Sequence, residues 1–184
     1  MALTETKPIN IGFKAPDFSL IDSKDNQSKS LENLKGRNGT IIAFICNHCP
    51  YVIHVIDEII SLTKDYQEKG INLIAINSND VEKYPEDSPE LMKKWAEDKN
   101  FPFPYLFDET QEVAMAYHAA CTPDFSLFDA DLKCVYRGRL DASTPGNKVG
   151  LTGADLRKAI DNLLAEKAPL EEQFPSMGCN IKWK

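Results

Sequence analysis

Two short runs of the chain are continuously apolar and rich in β-branched residues: Ile41-Ile-Ala-Phe-Ile45 after Gly39, and Ile71-Asn-Leu-Ile-Ala-Ile76 after Gly70. Lacking polar alternation, both predict strands buried on the two faces of a sheet. Between them Val52, Val55, Ile56, Ile59, Ile60, Leu62 and Tyr66 recur at three- and four-residue spacings. That period puts them on one face of a helix, which Lys69-Gly70 ends. Strand, helix and strand in this order predict a βαβ unit with parallel strands and a right-handed crossover.

Further along, residues 77–89 form a connection rich in Asp, Pro and Ser, and 90–99 predicts a short helix with Leu91 and Trp95 on one face. A strand follows at 105–107 and a helix at 109–118. Segments 125–129 and 133–137, separated by Ala130-Asp-Leu132, predict an antiparallel hairpin. Thr152-Gly-Ala-Asp155 opens a last helix carrying Leu156, Ile160, Leu163 and Leu164, and Pro169 stops it. The N-terminal segment contains a proline and a candidate hairpin around 18–29, and a tail runs from Pro169 to Lys184. This order predicts an α/β domain with a central mixed β-sheet, helices on both faces, an N-terminal β extension and a C-terminal tail. With 184 residues against roughly 150 for a typical domain, one domain over 1–184 is expected, its core at about 12–165 and its tail at 166–184.

Composition narrows the partners. Acidic residues outnumber basic ones 28 to 21, and no basic block runs along the chain, so a phosphate backbone has no positive footprint to bind. No nucleic acid is expected as partner. The longest apolar runs fall far short of the roughly 20 residues of a membrane span. The first residues also lack the charged and apolar regions of a secretory signal. The expected location is therefore cytoplasmic, with no membrane partner. Five cysteines, at 46, 49, 121, 134 and 179, include one close pair. In a reducing compartment that pattern favours reactive or metal-binding thiols over a disulfide framework.

The close pair is Cys46-Asn-His-Cys49, at the junction of the first buried strand and the long helix. A C-x-x-C there is expected to place its first sulfur at the helix N-terminus, where free amides and the dipole favour a thiolate. Cys46 is thus the expected attacking thiolate and Cys49 the resolving thiol that opens the mixed disulfide. His48 can donate a hydrogen bond or positive charge to Cys46. Pro50 falls in the first helical turn, where its missing N–H costs little. The alternative for this motif is half a zinc site, but neither a second C-x-x-C nor an H-x-x-x-H accompanies it. Tyr51, His54 and His118 are assigned to packing or surface. Cys134 is expected to be an inert core thiol, and Arg137 and Arg139 to be solvated or paired at the surface. Cys179, on the tail, is a candidate extra resolving thiol or metal ligand.

Three separated motifs carry a resemblance: Gly12-Phe-Lys-Ala-Pro-Asp-Phe18, Phe44-Ile-Cys-Asn-His-Cys-Pro50 and Cys121-Thr-Pro-Asp-Phe-Ser-Leu-Phe-Asp129. In this order the chain resembles the thioredoxin-like superfamily, and more closely its redoxin branch of alkyl hydroperoxide reductase and thiol-specific antioxidant proteins. With Ser176-Met-Gly-Cys-Asn-Ile-Lys-Trp183 the C-N-H-C-P motif is similar to a peroxiredoxin-like bacterial subgroup. The resemblance implies a thioredoxin-like fold and a cis proline at Thr122-Pro123 facing the cysteine pair. The Thr122 backbone would then be free to pair with an incoming substrate strand, and Cys121 would be a candidate third thiol. Ile45 stands where thioredoxins carry tryptophan, and the Pro-x-x-x-Thr/Ser-x-x-Cys peroxidatic motif is absent. The leading expectation is a thiol-disulfide oxidoreductase acting on protein or small-molecule disulfides, served by a cellular thiol reductant and needing no cofactor beyond its redox-active disulfide. Hydroperoxide reduction comes second. Third is binding of copper or zinc by Cys46, Cys49, His48 and either Cys179 or Cys121.

Overall fold

A computed structural model describes residues 3–184. Its elements, in chain order, are β1 (Leu3–Glu5), β2 (Ser19–Asp22), β3 (Ser28–Ser30), α1 (Leu31–Leu34), β4 (Gly39–Phe44), α2 (Pro50–Tyr66), β5 (Ile71–Asn77) and α3 (Pro89–Asp98). They continue with β6 (Tyr105–Phe107), α4 (Glu112–Ala116), β7 (Cys121–Thr122), β8 (Asp124–Asp129), β9 (Cys134–Gly138), α5 (Ala154–Leu164) and β10 (Met177–Asn180). Seven strands form the main sheet in the order β3-β2-β6-β5-β4-β8-β9. The β4–β5 and β5–β6 pairs are parallel and the rest antiparallel, which is the expected mixed sheet.

The two apolar runs lie at its centre, and their side chains alternate between faces. Ile41, Ala43, Leu73 and Ala75 pack with α2, α3 and α5 through Ile56, Ile59, Met92, Ala96, Leu156 and Ile160. Ile42, Phe44, Ile74 and Ile76 point the other way, onto Leu31 of α1 and Ala114 of α4. Both faces are dry, and each fully buried isoleucine contributes about 1.5–3 kcal/mol of transfer free energy. A 3₁₀ turn extends α2 to Gly70, whose φ of +79° is the left-handed stop that the sequence signalled. Ser88 caps α3 by accepting from Leu91 N–H.

Three expectations are corrected. The helix expected over 109–118 is confined to Glu112–Ala116, because Gln111 takes φ +66° and cannot belong to a right-handed turn. Arg137 is not a surface group: its guanidinium is buried and pairs with Asp124 Oδ2 at 3.1 Å, with Ser126 Oγ at 2.7 Å. Arg139, by contrast, is the expected partly exposed pair, 2.6 Å from Asp155. The C-terminal segment is no loose tail. Its β10 is the middle strand of a second antiparallel sheet, β1-β10-β7. Among the described residues, no helix is long and apolar enough to cross a membrane.

Candidate active site

β4 brings the chain to the site, and the last sheet hydrogen bond on this side runs from Ile45 N–H to Ile76 O at 3.0 Å. Cys46, Asn47 and His48 then form a short loop before α2. Proline suits the first helical position, since it lacks the N–H that would be orphaned there. Pro50 takes that place, so the extended residue before it, Cys49, is the N-cap. This changes one expectation: the sulfur at the helix N-terminus belongs to Cys49, not to Cys46.

The surroundings of the two sulfurs follow from that shift. Hydrogen bonds with Cys46, with Cys179, whose Sγ is 2.8 Å away, with the Val52 N–H and with the Thr122 hydroxyl pull Cys49 down to about 4, against the effect of burial. One group opposes this: the Thr122 carbonyl oxygen is 3.2 Å from Cys49 Sγ and accepts from the protonated thiol. The other bonds and the helix N-terminus outweigh one carbonyl. Cys46 is pushed well above the ordinary thiol value by its bond to Cys49, by burial and by the Asp87 carboxylate. Its Sγ lies 3.4 Å from Thr122 Oγ1. All five cysteines are free thiols and buried, with Cys46 1% and Cys49 0% exposed.

Asp87 is the residue that the sequence did not point to. It is fully buried in the connection between β5 and α3, and its Oδ1 accepts from Asn47 N–H at 2.8 Å. Oδ2 accepts from Asn79 Nδ2 at 2.7 Å and lies 2.8 Å from His48 Nδ1. Tyr105 O–H, below the loop, donates to Asn47 Oδ1 at 3.0 Å. His48 therefore faces a carboxylate, and its ring stacks on Tyr84 with centroids 5.7 Å apart. Donor atoms of Cys46, His48 and Asp87 lie within 4.8 Å of one another, a set that one borderline cation could share. It differs from the set expected, in that Asp87 replaces Cys49 and the distant thiols.

Thr122-Pro123 is cis and faces the pair, between β7 and β8. The Thr122 backbone is not free, however: β10 pairs with β7, Cys179 opposite Thr122 and Asn180 opposite Cys121. Cys179, assigned to the tail rather than the core, is 6% exposed, and its Sγ is 2.8 Å from Cys49 Sγ. Burial and its bond to Cys49 push its thiol up to about 12. Cys121 is directed away, 3.7 Å from Thr6 Oγ1 and 3.6 Å from Pro123 O, and burial raises its thiol strongly. Cys134 is the inert core thiol expected, raised by burial to about 11. His54 bonds Ser143 Oγ at 2.8 Å, away from the sulfurs.

Known proteins of similar sequence and shape bear on the family and the fold. Residues 11–137 match the AhpC/TSA family. Thiol-disulfide oxidoreductase ResA of Geobacillus kaustophilus is 27% identical over 130 residues, 68% of this chain and 67% of that protein. A crystal structure of an uncharacterized conserved protein from Geobacillus kaustophilus has 55% identity and a TM-score of 0.98, covering 100% of this chain and 97% of that one. The thioredoxin domain of a thiol-disulfide oxidoreductase from Bacteroides vulgatus shares the fold at 18% identity and a TM-score of 0.62, over 82% of this chain and 98% of that one. The chain thus belongs to the AhpC/TSA family, oxidoreductases built here on a thioredoxin-like fold.

Proposed function

We propose that the protein exchanges thiols and disulfides through Cys46 and Cys49, with Cys49 as the attacking sulfur. The observation that carries this is the place of the Cys49 sulfur, at the N-terminus of α2 and 2.8 Å from Cys179 Sγ, where its surroundings lower its pKa. A thiolate is the nucleophile of disulfide exchange, so the expected order of attack is reversed. Cys49 attacks one sulfur of the substrate disulfide, a mixed disulfide forms, and the first substrate thiolate leaves and takes a proton. Cys46 then loses its proton, attacks Cys49 Sγ and expels the second substrate thiol. Two electrons have passed from the protein to the substrate. Thr122 and Pro123 wall the sulfurs, and a cellular thiol reductant restores the pair.

The test compares Cys49→Ser with a Cys46→Ser/Cys179→Ser double variant, each treated with oxidised glutathione and mapped by mass spectrometry. The reading expects no exchange in the first and a glutathione adduct on Cys49 in the second. Full exchange by Cys49→Ser would return the attacking role to Cys46.

A second reading is favoured by one observation, the burial of both sulfurs, which admits a small oxidant more readily than a protein disulfide. Here the Cys49 thiolate attacks a hydroperoxide, leaving an alcohol and a sulfenic acid, and a neighbouring thiol condenses with the latter to a disulfide and water. Single-turnover rates with hydrogen peroxide and with oxidised glutathione separate the two.

A further inference from the structure

We infer that strand β10 is the enzyme's own first exchange partner, with Cys179 as a second resolving thiol that competes with Cys46 for the Cys49 sulfur. This rests on Cys49 as the attacking thiolate. The Cys49 sulfur is flanked by two thiols: Cys46, three residues before it, and Cys179, 130 residues after it, at 2.8 Å.

The placement of Cys179 is built into the fold. β10 runs antiparallel between β1 and β7, with Leu3 opposite Cys179 on one side and Thr122 on the other. It is tied at both ends. Before it, Thr6 N–H donates to Ser176 O at 2.9 Å and Ser176 Oγ donates to Pro123 O at 2.7 Å. After it, Lys182 N–H donates to Asn79 Oδ1 at 2.9 Å, and Lys182 O accepts from Gln111 Nε2 at 2.8 Å. Gly178 lets the strand come this close, because a Cβ there would lie 2.0 Å from Thr122 O. Such fixed placement gives Cys179 the advantage of an intramolecular reactant over any thiol from solution.

The chemistry balances without further reagents beyond a substrate disulfide. The Cys49 thiolate attacks R–S–S–R, the bond between the two substrate sulfurs breaks, Cys49–S–S–R forms and the first substrate thiolate leaves and takes a proton from water. Cys179 gives up its proton and attacks Cys49 Sγ, the Cys49–SR bond breaks, Cys49–Cys179 forms and the second RSH leaves. Two protein thiols are oxidised and one disulfide is reduced to two thiols. Attack of Cys46 on Cys49 then moves the bond to Cys46–Cys49 and frees Cys179, with no net transfer of electrons. While it lasts, the Cys49–Cys179 bond staples β10 to the start of α2 and keeps the site shut.

The experiment oxidises five reduced proteins with one equivalent of oxidised glutathione, blocks residual thiols with an alkylating agent and maps the disulfides without reduction. The five are the wild type, Cys46→Ser, Cys179→Ala, the Cys46→Ser/Cys179→Ala double variant and Cys49→Ser, each checked for its fold by circular dichroism. The inference expects Cys46→Ser to close Cys49–Cys179 and hold no lasting glutathione, and Cys179→Ala to close Cys46–Cys49. It also expects release of glutathione from Cys49 to slow at least about 100-fold when Cys46 and Cys179 are both replaced, against either single variant. If Cys46→Ser keeps glutathione on Cys49 with Cys179 free, the inference fails while Cys49 stands as nucleophile. A bond between Cys46 and Cys179 in Cys49→Ser overturns the inference as well. If no protein carries an adduct or bond at Cys49, the reading beneath it falls too.

Discussion

Asp87 stands 2.8 Å from His48 through Oδ2 and, with Oδ1, accepts the Asn47 N–H of the same loop at 2.8 Å. One buried carboxylate therefore sets the shape of the C-x-x-C loop from the next crossover of the fold. It also adds to the charge pattern: after the bond to Cys49 and burial, its negative charge further disfavours ionisation of Cys46.

Replacing Asp87 by Ala should therefore have two effects. The Asn47 N–H and the Asn79 amide lose their acceptor, at a cost of about 1–3 kcal/mol for each buried donor left unpaired. The Cys46 thiol, freed from the carboxylate, should ionise at lower pH. Urea unfolding reads the first effect, and the pH dependence of Cys46 alkylation in a Cys49→Ser background reads the second. If that pH dependence does not move, Asp87 serves the loop's shape alone.

Ionisation of Cys49 has a direct optical signature, thiolate absorbance near 240 nm. The difference between reduced wild type and Cys49→Ser should persist through neutral pH and vanish with a midpoint near 4, far below the ordinary thiol value of 9.0. The sign for stability follows. Folding lowers the pKa of this group, so its ionised form stabilises the reduced fold fully above pH 9; the contribution shrinks as pH falls and is gone below about 4. The stability difference between the two proteins should narrow over that window. A midpoint near 9 would remove the ground for making Cys49 the nucleophile.

The parts of this site differ in how far sequence reveals them, and the differences are physical. The central strands and α2 were legible because burial on one or two faces imposes a period on neighbouring residues, as at Ile41 to Ile45 and Val52 to Tyr66. Pro50 already carried the signal that Cys49 is the N-cap, since a proline in the first helical turn leaves the cap to the residue before it. Asp87 had no such signal: its partners are gathered by an aperiodic connection, and a buried carboxylate looks the same in sequence as a solvated one. The meeting of Cys49 and Cys179 spans 130 residues and depends on a four-residue strand too short to show alternation. Arg137 was misassigned for a related reason, because its partner Asp124 lies across a hairpin.

That buried pair allows a sharper test. Arg137 binds Asp124, Ser126 and the His118 carbonyl, and yet burial holds the Asp124 carboxyl at about 6. Arg137→Met would leave this carboxylate buried and unpaired, at a cost of about 3–5 kcal/mol near neutral pH. An acid whose folded pKa lies above its unfolded value stabilises the fold below the unfolded value, 3.8, and loses that contribution as pH rises through about 6. Losing Arg137 raises the folded value further, so the penalty should shrink on acidification from pH 8 to pH 5. A penalty independent of pH, measured by denaturant unfolding, would mean that Arg137 matters through packing rather than charge.

Gly178 offers the most direct probe of why β10 sits where it does. A Cβ at this position would lie 2.0 Å from the Thr122 carbonyl oxygen and 2.7 Å from its carbon, both backbone atoms, so no side-chain rotation can relieve the overlap. The strand would have to back away from β7, and overpacking of this kind costs about 1–3 kcal/mol. Because β10 belongs to the second sheet and gives the two apolar layers only Cys179 and the neighbouring Ile181, Gly178→Ala should lower the unfolding midpoint modestly and keep the far-ultraviolet spectrum. At the site the expected effects are larger. Cys179 withdraws from Cys49, the sulfur loses one of its donors and its pKa rises, and both cysteines of the C-x-x-C become open to alkylation in the folded state. Hydrogen exchange should show faster exchange confined to β10 and its partners in β1 and β7. If Gly178→Ala instead leaves Cys49 as shielded and as acidic as in the wild type, the close approach of β10 to Thr122 is not what holds Cys179 against the thiolate.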